Sequence, residues 1–103
     1  MKRILFVCSQ NPTAEAVFAD TDGLEVASAG LDHDADVPVS MELLEWADMI
    51  FVMEHSHRNK LSKKFRSYLK NKRIVCLDIS DEYGYMGPVL VKILKRKMLP
   101  FLA

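Results

Sequence analysis

The sequence predicts an α/β fold: one three-layer domain in which a four-stranded parallel sheet, order 2-1-3-4, carries helices on both faces. Three observations predict it. Short apolar runs alternate with capped or amphipathic stretches along the whole chain, a βαβαβαβα pattern. The first apolar run, Ile4-Leu5-Phe6-Val7, has no polar interruption, as a strand buried on both faces requires, and this places it inside the sheet. The chain has 103 residues, enough for one hydrophobic core and not for two, so residues 1–103 are read as a single domain.

Each element has a local reason. Residues 4–7 are the first strand. A helix over 12–19 follows, with Asn11 as N-cap and Pro12 at the first helical position, where a missing N–H costs nothing. Gly23 breaks it. Residues 24–27 form the second strand, closed by Ser28-Ala29-Gly30, and 31–39 form a polar loop. Ser40 caps a helix that runs to Ala47, with Leu43, Leu44 and Trp46 on its apolar side. Residues 49–53 are the third strand. A basic amphipathic helix over 56–69 places Leu61, Phe65, Tyr68 and Leu69 at i, i+4, i+7 and i+8. Residues 74–77 are the fourth strand and 78–87 a loop. Pro88 opens the last helix, whose Val89, Leu90, Ile93, Leu94 and Met98 face the core, and Pro100 ends it.

Composition excludes several function classes. Half the residues are hydrophobic and 27% are charged, which is globular and not disordered. No apolar run approaches the roughly 20 residues of a membrane span, and the apolar stretch after Met1-Lys2-Arg3 is too short for a signal peptide. Two cysteines beside apolar runs read as reduced thiols in a cytoplasmic protein.

The formal net charge is zero but segregated. Eleven acidic residues and no Lys or Arg lie between Arg3 and Arg58, whereas residues 58–73 hold eight basic residues and no acidic one. A basic face for nucleic acid or an acidic partner is one reading. A solvated helix balanced by an acidic face elsewhere is the plainer one. The absence of an RNA-binding or helix-turn-helix signature supports the plainer reading and argues against nucleic acid.

Ligands of parallel sheets bind beyond the carboxyl ends of the strands. Two loops reach that edge, residues 8–11 and residues 78–87. Cys8 follows the first strand and lies just below the helix that Pro12 opens. The partial positive charge and free N–H groups of a helix N-terminus favour a thiolate and would also hold phosphate oxygens. A small buried residue at a strand end would look the same. Cys76, inside the fourth strand, reads as core.

The residues here carry a family resemblance. Ile4-Leu5-Phe6-Val7-Cys8, then Asn11, then Pro12-Thr13-Ala14-Glu15-Ala16, resembles the opening of the low-molecular-weight protein tyrosine phosphatases. That opening is an apolar strand, a nucleophilic Cys, a phosphate loop with an Asn, then Arg-Ser-Pro and an Ala-Glu helix. Ser28-Ala29-Gly30 matches the Ser-Ala-Gly after that family's second strand, and Asp78-Ile79-Ser80-Asp81-Glu82-Tyr83 is similar to its acid loop. The likeness extends to about Tyr85 and is greatest to the short bacterial members. It implies Cys8 as nucleophile and Asp81 as general acid. It also implies phosphate binding by the backbone amides of Ser9, Gln10 and Asn11, and no cofactor. The substrate it implies is a phosphorylated protein or a small aryl phosphate.

Other features fit less tightly. Tyr83 and Tyr85 could wall an aromatic substrate pocket or serve as half-buried packing. Glu82 stands where the family has Pro, which loosens the acid loop. A zinc site would need three or four converging ligands. The spacing of Glu54, His55 and His57, or of His33, Asp34 and Asp36, does not supply them, so no metal is expected.

One departure bears on activity. The family's Arg lies six residues after its Cys, but the sixth residue after Cys8 is Ala14. About four residues, including that Arg, are missing between Asn11 and Pro12 relative to the family. Hydrolysis is therefore expected to be weak. Two alternatives stay open: a non-catalytic anion- or partner-binding relative, and a phosphocysteine carrier resembling enzyme IIB domains.

Overall fold

The computed structural model describes residues 2–8, 13–32, 35, 37–80 and 83–102. The elements are β1 (Lys2–Cys8), α1 (Thr13–Phe18), β2 (Leu24–Gly30), α2 (Met41–Trp46), β3 (Met49–Val52), α3 (His55–Phe65), a 3₁₀ turn (Arg66–Tyr68), β4 (Arg73–Cys76) and α4 (Pro88–Leu102). The strands form one parallel sheet in the order β2-β1-β3-β4. This is the predicted order, with β1 in the interior.

Strand alternation divides the core into two layers. Ile4, Phe6 and Cys8 of β1 and Met49 and Phe51 of β3 pack with Ala14 and Phe18 of α1 and Leu90, Leu94 and Met98 of α4. Leu5 and Val7, with Ile50 and Val52, pack on the other face against Leu44 of α2 and Leu61 of α3. All of residues 4–7 are buried, which is why their sequence contains no polar residue. In the first layer the Phe6 ring lies 5.9 Å from Phe18 and 5.7 Å from Phe51, and Phe101 meets Phe51 edge-on at 5.1 Å. Such pairs add about 0.5–1.5 kcal/mol each beyond the area they bury.

Most element boundaries shift by one or two residues from those expected, Cys8 for instance ending β1 rather than following it, and four departures have a clear physical reason. β2 continues through Ser28, Ala29 and Gly30 because these residues pair with Phe6, Val7 and Cys8 along the full length of β1. α3 begins at His55, one residue early. Its Glu54 N-cap forms a capping box with His57, whose buried ring accepts the Glu54 N–H at Nδ1. α3 then ends at Phe65, and the tighter 3₁₀ turn rotates Tyr68 outward to 37% exposure, while Phe65 and Leu69 stay half-buried on the α2/α3 layer.

The last departure is Pro100, which lies inside α4 rather than ending it. Pro100 cannot donate to the Arg96 carbonyl, but both residues are exposed, so water can bond that carbonyl. The helix is held beyond Pro100 by Phe101, which packs on Phe51 and carries the Arg73 guanidinium 5.5 Å from its ring centre. At the start of α4, Val89 is 58% exposed and does not face the core as predicted.

Candidate active site

The segments leaving the sheet converge at the carboxyl ends of the strands. Cys8 is the last residue of β1, lies opposite Gly30 of β2, and is only 3% exposed. Its carbonyl accepts the Leu31 N–H at 2.9 Å. Beside it, Met53 after β3 donates to the Val7 carbonyl at 3.3 Å. Beyond β4, Leu77 donates to Val52 at 2.8 Å and Ile79 to Met53 at 2.7 Å. Backbone bonds thus carry each strand's exit onto its neighbour, and Cys8 ends the interior strand among them.

Side chains tie the helices to this edge. Ser28 Oγ donates to Glu15 Oε2 at 2.8 Å, joining β2 to α1. Thr13 at the start of α1 is buried, and its hydroxyl accepts the Met86 N–H at 2.9 Å. Lys97 of α4 donates through Nζ to the carbonyls of Leu77 (2.8 Å) and Asp78 (3.0 Å), fixing the base of the loop 78–87. Asp78 and Met86 near the two ends of that loop have φ of 55° and 58°. Left-handed backbone at a non-glycine residue costs on the order of 1 kcal/mol or more, so the loop is held in shape by its tethers.

No protein-family profile and no curated sequence matches the chain. Solved structures do. A mutant of YwlE from Bacillus subtilis superposes with a TM-score of 0.61 at 25% identity, covering 99% of this chain and 91% of that one. The YwlE arginine phosphatase of Geobacillus stearothermophilus gives 0.64 at 23% identity, with 99% and 88% covered. The low-molecular-weight protein tyrosine phosphatase SP-PTP of Streptococcus pyogenes gives 0.77 at 13% identity, with 99% and 91% covered. The chain has the low-molecular-weight protein tyrosine phosphatase fold.

On this phosphatase fold the predicted site residues are placed unequally. Cys8 belongs to the α1/α4 apolar layer, and Tyr83 packs half-buried against the same layer. Tyr83 also lines a cavity of about 250 Å³ with Asp78, Ser80, Ile93 and Arg96. Tyr85 is 63% exposed. Ser9, Gln10, Asn11 and Asp81 lie outside the described residues, as do Pro12, His33, Asp34, Asp36 and Glu82. Cys76 faces the opposite layer from Cys8. His55 is exposed, while His57 is part of the capping box. Among the described residues, no three His, Cys, Asp or Glu side chains come together as a metal would need.

The sequence does not single out Lys97, and it names Thr13 only within the resemblance segment, because the partners of both are distant in sequence. Glu15 and Ser28 each lay in a segment that carried the family resemblance, but nothing in the sequence paired them. The phosphatase fold here also has only four residues, and no Lys or Arg, between Cys8 and Thr13.

Proposed function

We propose that this chain acts on phosphate monoesters, with Cys8 as the nucleophile. The observation that carries the reading is the position of Cys8 at the carboxyl end of the interior strand. In the proposed reaction the Cys8 thiolate attacks phosphorus while the bond from phosphorus to the leaving oxygen breaks. Asp81 gives its proton to that oxygen. Water then attacks the phosphocysteine and gives a proton to the Asp81 carboxylate, while the S–P bond breaks, releasing phosphate and restoring the thiolate and the acid. Backbone amides of Ser9, Gln10 and Asn11 hold the non-bridging oxygens, as donors aimed at developing charge do elsewhere. The substrate is a phosphorylated protein side chain or a small aryl phosphate. Structurally similar proteins named as tyrosine phosphatases are consistent with that range.

The short loop limits the rate. A bidentate Arg would neutralise the transferring phosphoryl group, and its absence costs on the order of 3 kcal/mol of transition-state stabilisation or more, by analogy with loss of an oxyanion donor. The same observation favours a second reading, a binding relative that holds a phosphorylated partner without turning it over. A carrier that keeps its phosphocysteine is the third.

Hydrolysis of 4-nitrophenyl phosphate by the purified chain and by Cys8→Ser separates these readings. Slow turnover that disappears in Cys8→Ser supports the enzyme. Phosphate or phosphopeptide binding without Cys8-dependent turnover supports the binding relative. A stable phosphocysteine, formed and not hydrolysed, supports the carrier.

A further inference from the structure

We propose that a basic track along α3 docks a short acidic peptide segment, the stretch that flanks the phosphorylated residue of a protein substrate or partner. The proposal extends the reading of the Cys8 edge as the place where phosphate is handled, and rests on it for the direction in which the peptide lies.

Two adjoining grooves make the track. The first, about 440 Å³, is lined by Leu31, Lys60, Lys63 and Lys64. The second, about 750 Å³, shares Lys63 and Lys64 and continues through Arg66, Ser67 and Lys70. Leu31 is the residue whose N–H bonds the Cys8 carbonyl, so the track starts beside the last residue of β1 and leads away along α3. A lining of one apolar side chain and several long basic ones suits an extended acidic peptide. Its backbone can lie on Leu31 while its carboxylates meet the ammonium groups.

The cations are available. Lys60, Lys63, Lys64, Arg66 and Lys70 are all exposed, and among the described residues none has a carboxylate within ion-pair distance. Their mutual repulsion favours an anion placed between them. The anion must be short. Residues 58–73 carry eight basic side chains, but the exposed residues elsewhere include Asp20, Asp22, Glu25, Glu42, Glu45 and Asp48, and the whole chain is neutral. A long polyanion would run off the track onto acidic surface, where charges within about 8 Å are not screened at physiological salt. An acidic peptide segment fits inside these limits, and a nucleic acid strand does not.

The test is direct binding, which needs no turnover. A short fluorescent Glu-rich peptide without phosphate, its Gln-rich counterpart, and a single-stranded oligonucleotide of equal length are titrated by anisotropy. The proteins are the native chain, the double variant Lys60→Glu/Lys63→Glu, and the charge-matched Lys92→Glu/Lys95→Glu on α4. The Glu peptide is expected to bind the native chain at least about tenfold more tightly than the Gln peptide. Lys60→Glu/Lys63→Glu should weaken it about tenfold and Lys92→Glu/Lys95→Glu by less than about twofold. Equal losses in the two variants would reduce the effect to net charge and overturn the proposal. Tighter binding of the oligonucleotide, lost in Lys60→Glu/Lys63→Glu, would make the track a nucleic-acid surface and also overturn it. Cys8-dependent hydrolysis with no peptide binding removes the docking track and leaves the enzyme. Peptide binding without hydrolysis leaves the track on a binding relative.

Discussion

The Met86 N–H and the Thr13 hydroxyl meet at 2.9 Å across 73 residues of sequence. This bond joins the loop before α4, where the family resemblance puts the acid, to the start of α1, which follows the residues to which the resemblance gives the phosphate amides. Met86 makes it from left-handed backbone, with φ of 58°.

Thr13→Val keeps the shape of the buried side chain and removes the acceptor. Met86 is exposed, so its N–H can turn to water. The expected loss is therefore about 0.5–1.5 kcal/mol, the worth of an ordinary hydrogen bond. For a chain of this size thermal unfolding should fall by about 4–8 °C per kcal/mol lost. Thr13→Ser should restore most of it. Unchanged melting in Thr13→Val would show that the tether contributes nothing.

The reactivity of Cys8 pits two effects against each other. Burial in the α1/α4 layer favours the neutral thiol, whereas the mechanism proposed above calls on nearby N–H groups and a helix end that would favour the thiolate. The proposed mechanism needs the second to win. Alkylation of Cys8 in a Cys76→Ala background should then show a midpoint below the ordinary thiol value of about 8.5. A midpoint at or above it would make Cys8 a core residue.

Catalysis by the chain should depend on its leaving group. Asp81→Asn should slow aryl phosphates with basic leaving oxygens much more than those with acidic ones, because proton donation matters most when the departing oxygen is basic. Inserting about four residues with an Arg before Pro12 should raise hydrolysis by about 10²-fold or more. Steady-state rates over a leaving-group series check both. Inertness after the insertion would point to the binding relative.

Asp48 supplies a pH dependence at the opposite end of the sheet. The Arg3 backbone N–H donates to its carboxylate at 2.9 Å and the Arg3 guanidinium lies 3.6 Å away, which together hold the carboxyl below 3.8. A carboxylate with a depressed folded-state value stabilises the fold above its unfolded value. That contribution should be intact above about pH 4 and disappear as the pH falls below it, through the folded-state value. The difference in melting temperature between the native chain and Asp48→Asn should follow that course, and both partners being half-exposed, it should shrink with added salt. A difference independent of pH would mean that the carboxylate charge is not what matters.

The strand order and the two-layer core were legible from residues 4–7, 49–53 and the helical spacings, because a parallel strand covered on both faces must be apolar throughout. Element ends were less so. Tyr68 and Val89 fit an apolar helix face by spacing, yet a 3₁₀ turn rotates one away and the other sits where α4 begins, beyond the layer it was expected to cover. Pro100 is a helix breaker in isolation, but Phe101 on Phe51 holds the last turn in place.

By itself, then, the sequence determined a four-stranded parallel sheet with Cys8 at the end of its interior strand and a following segment that contains no Arg. Local patterning and chain length are enough for that, since each depends on neighbours in sequence. Only the tertiary structure decided that Thr13 holds Met86, that Ser28 meets Glu15, and that the basic grooves of α3 begin at Leu31 beside Cys8. Those relationships depend on which elements the sheet order and its crossovers bring side by side, and residues far apart in the chain carry no mark of their partner until the core has packed.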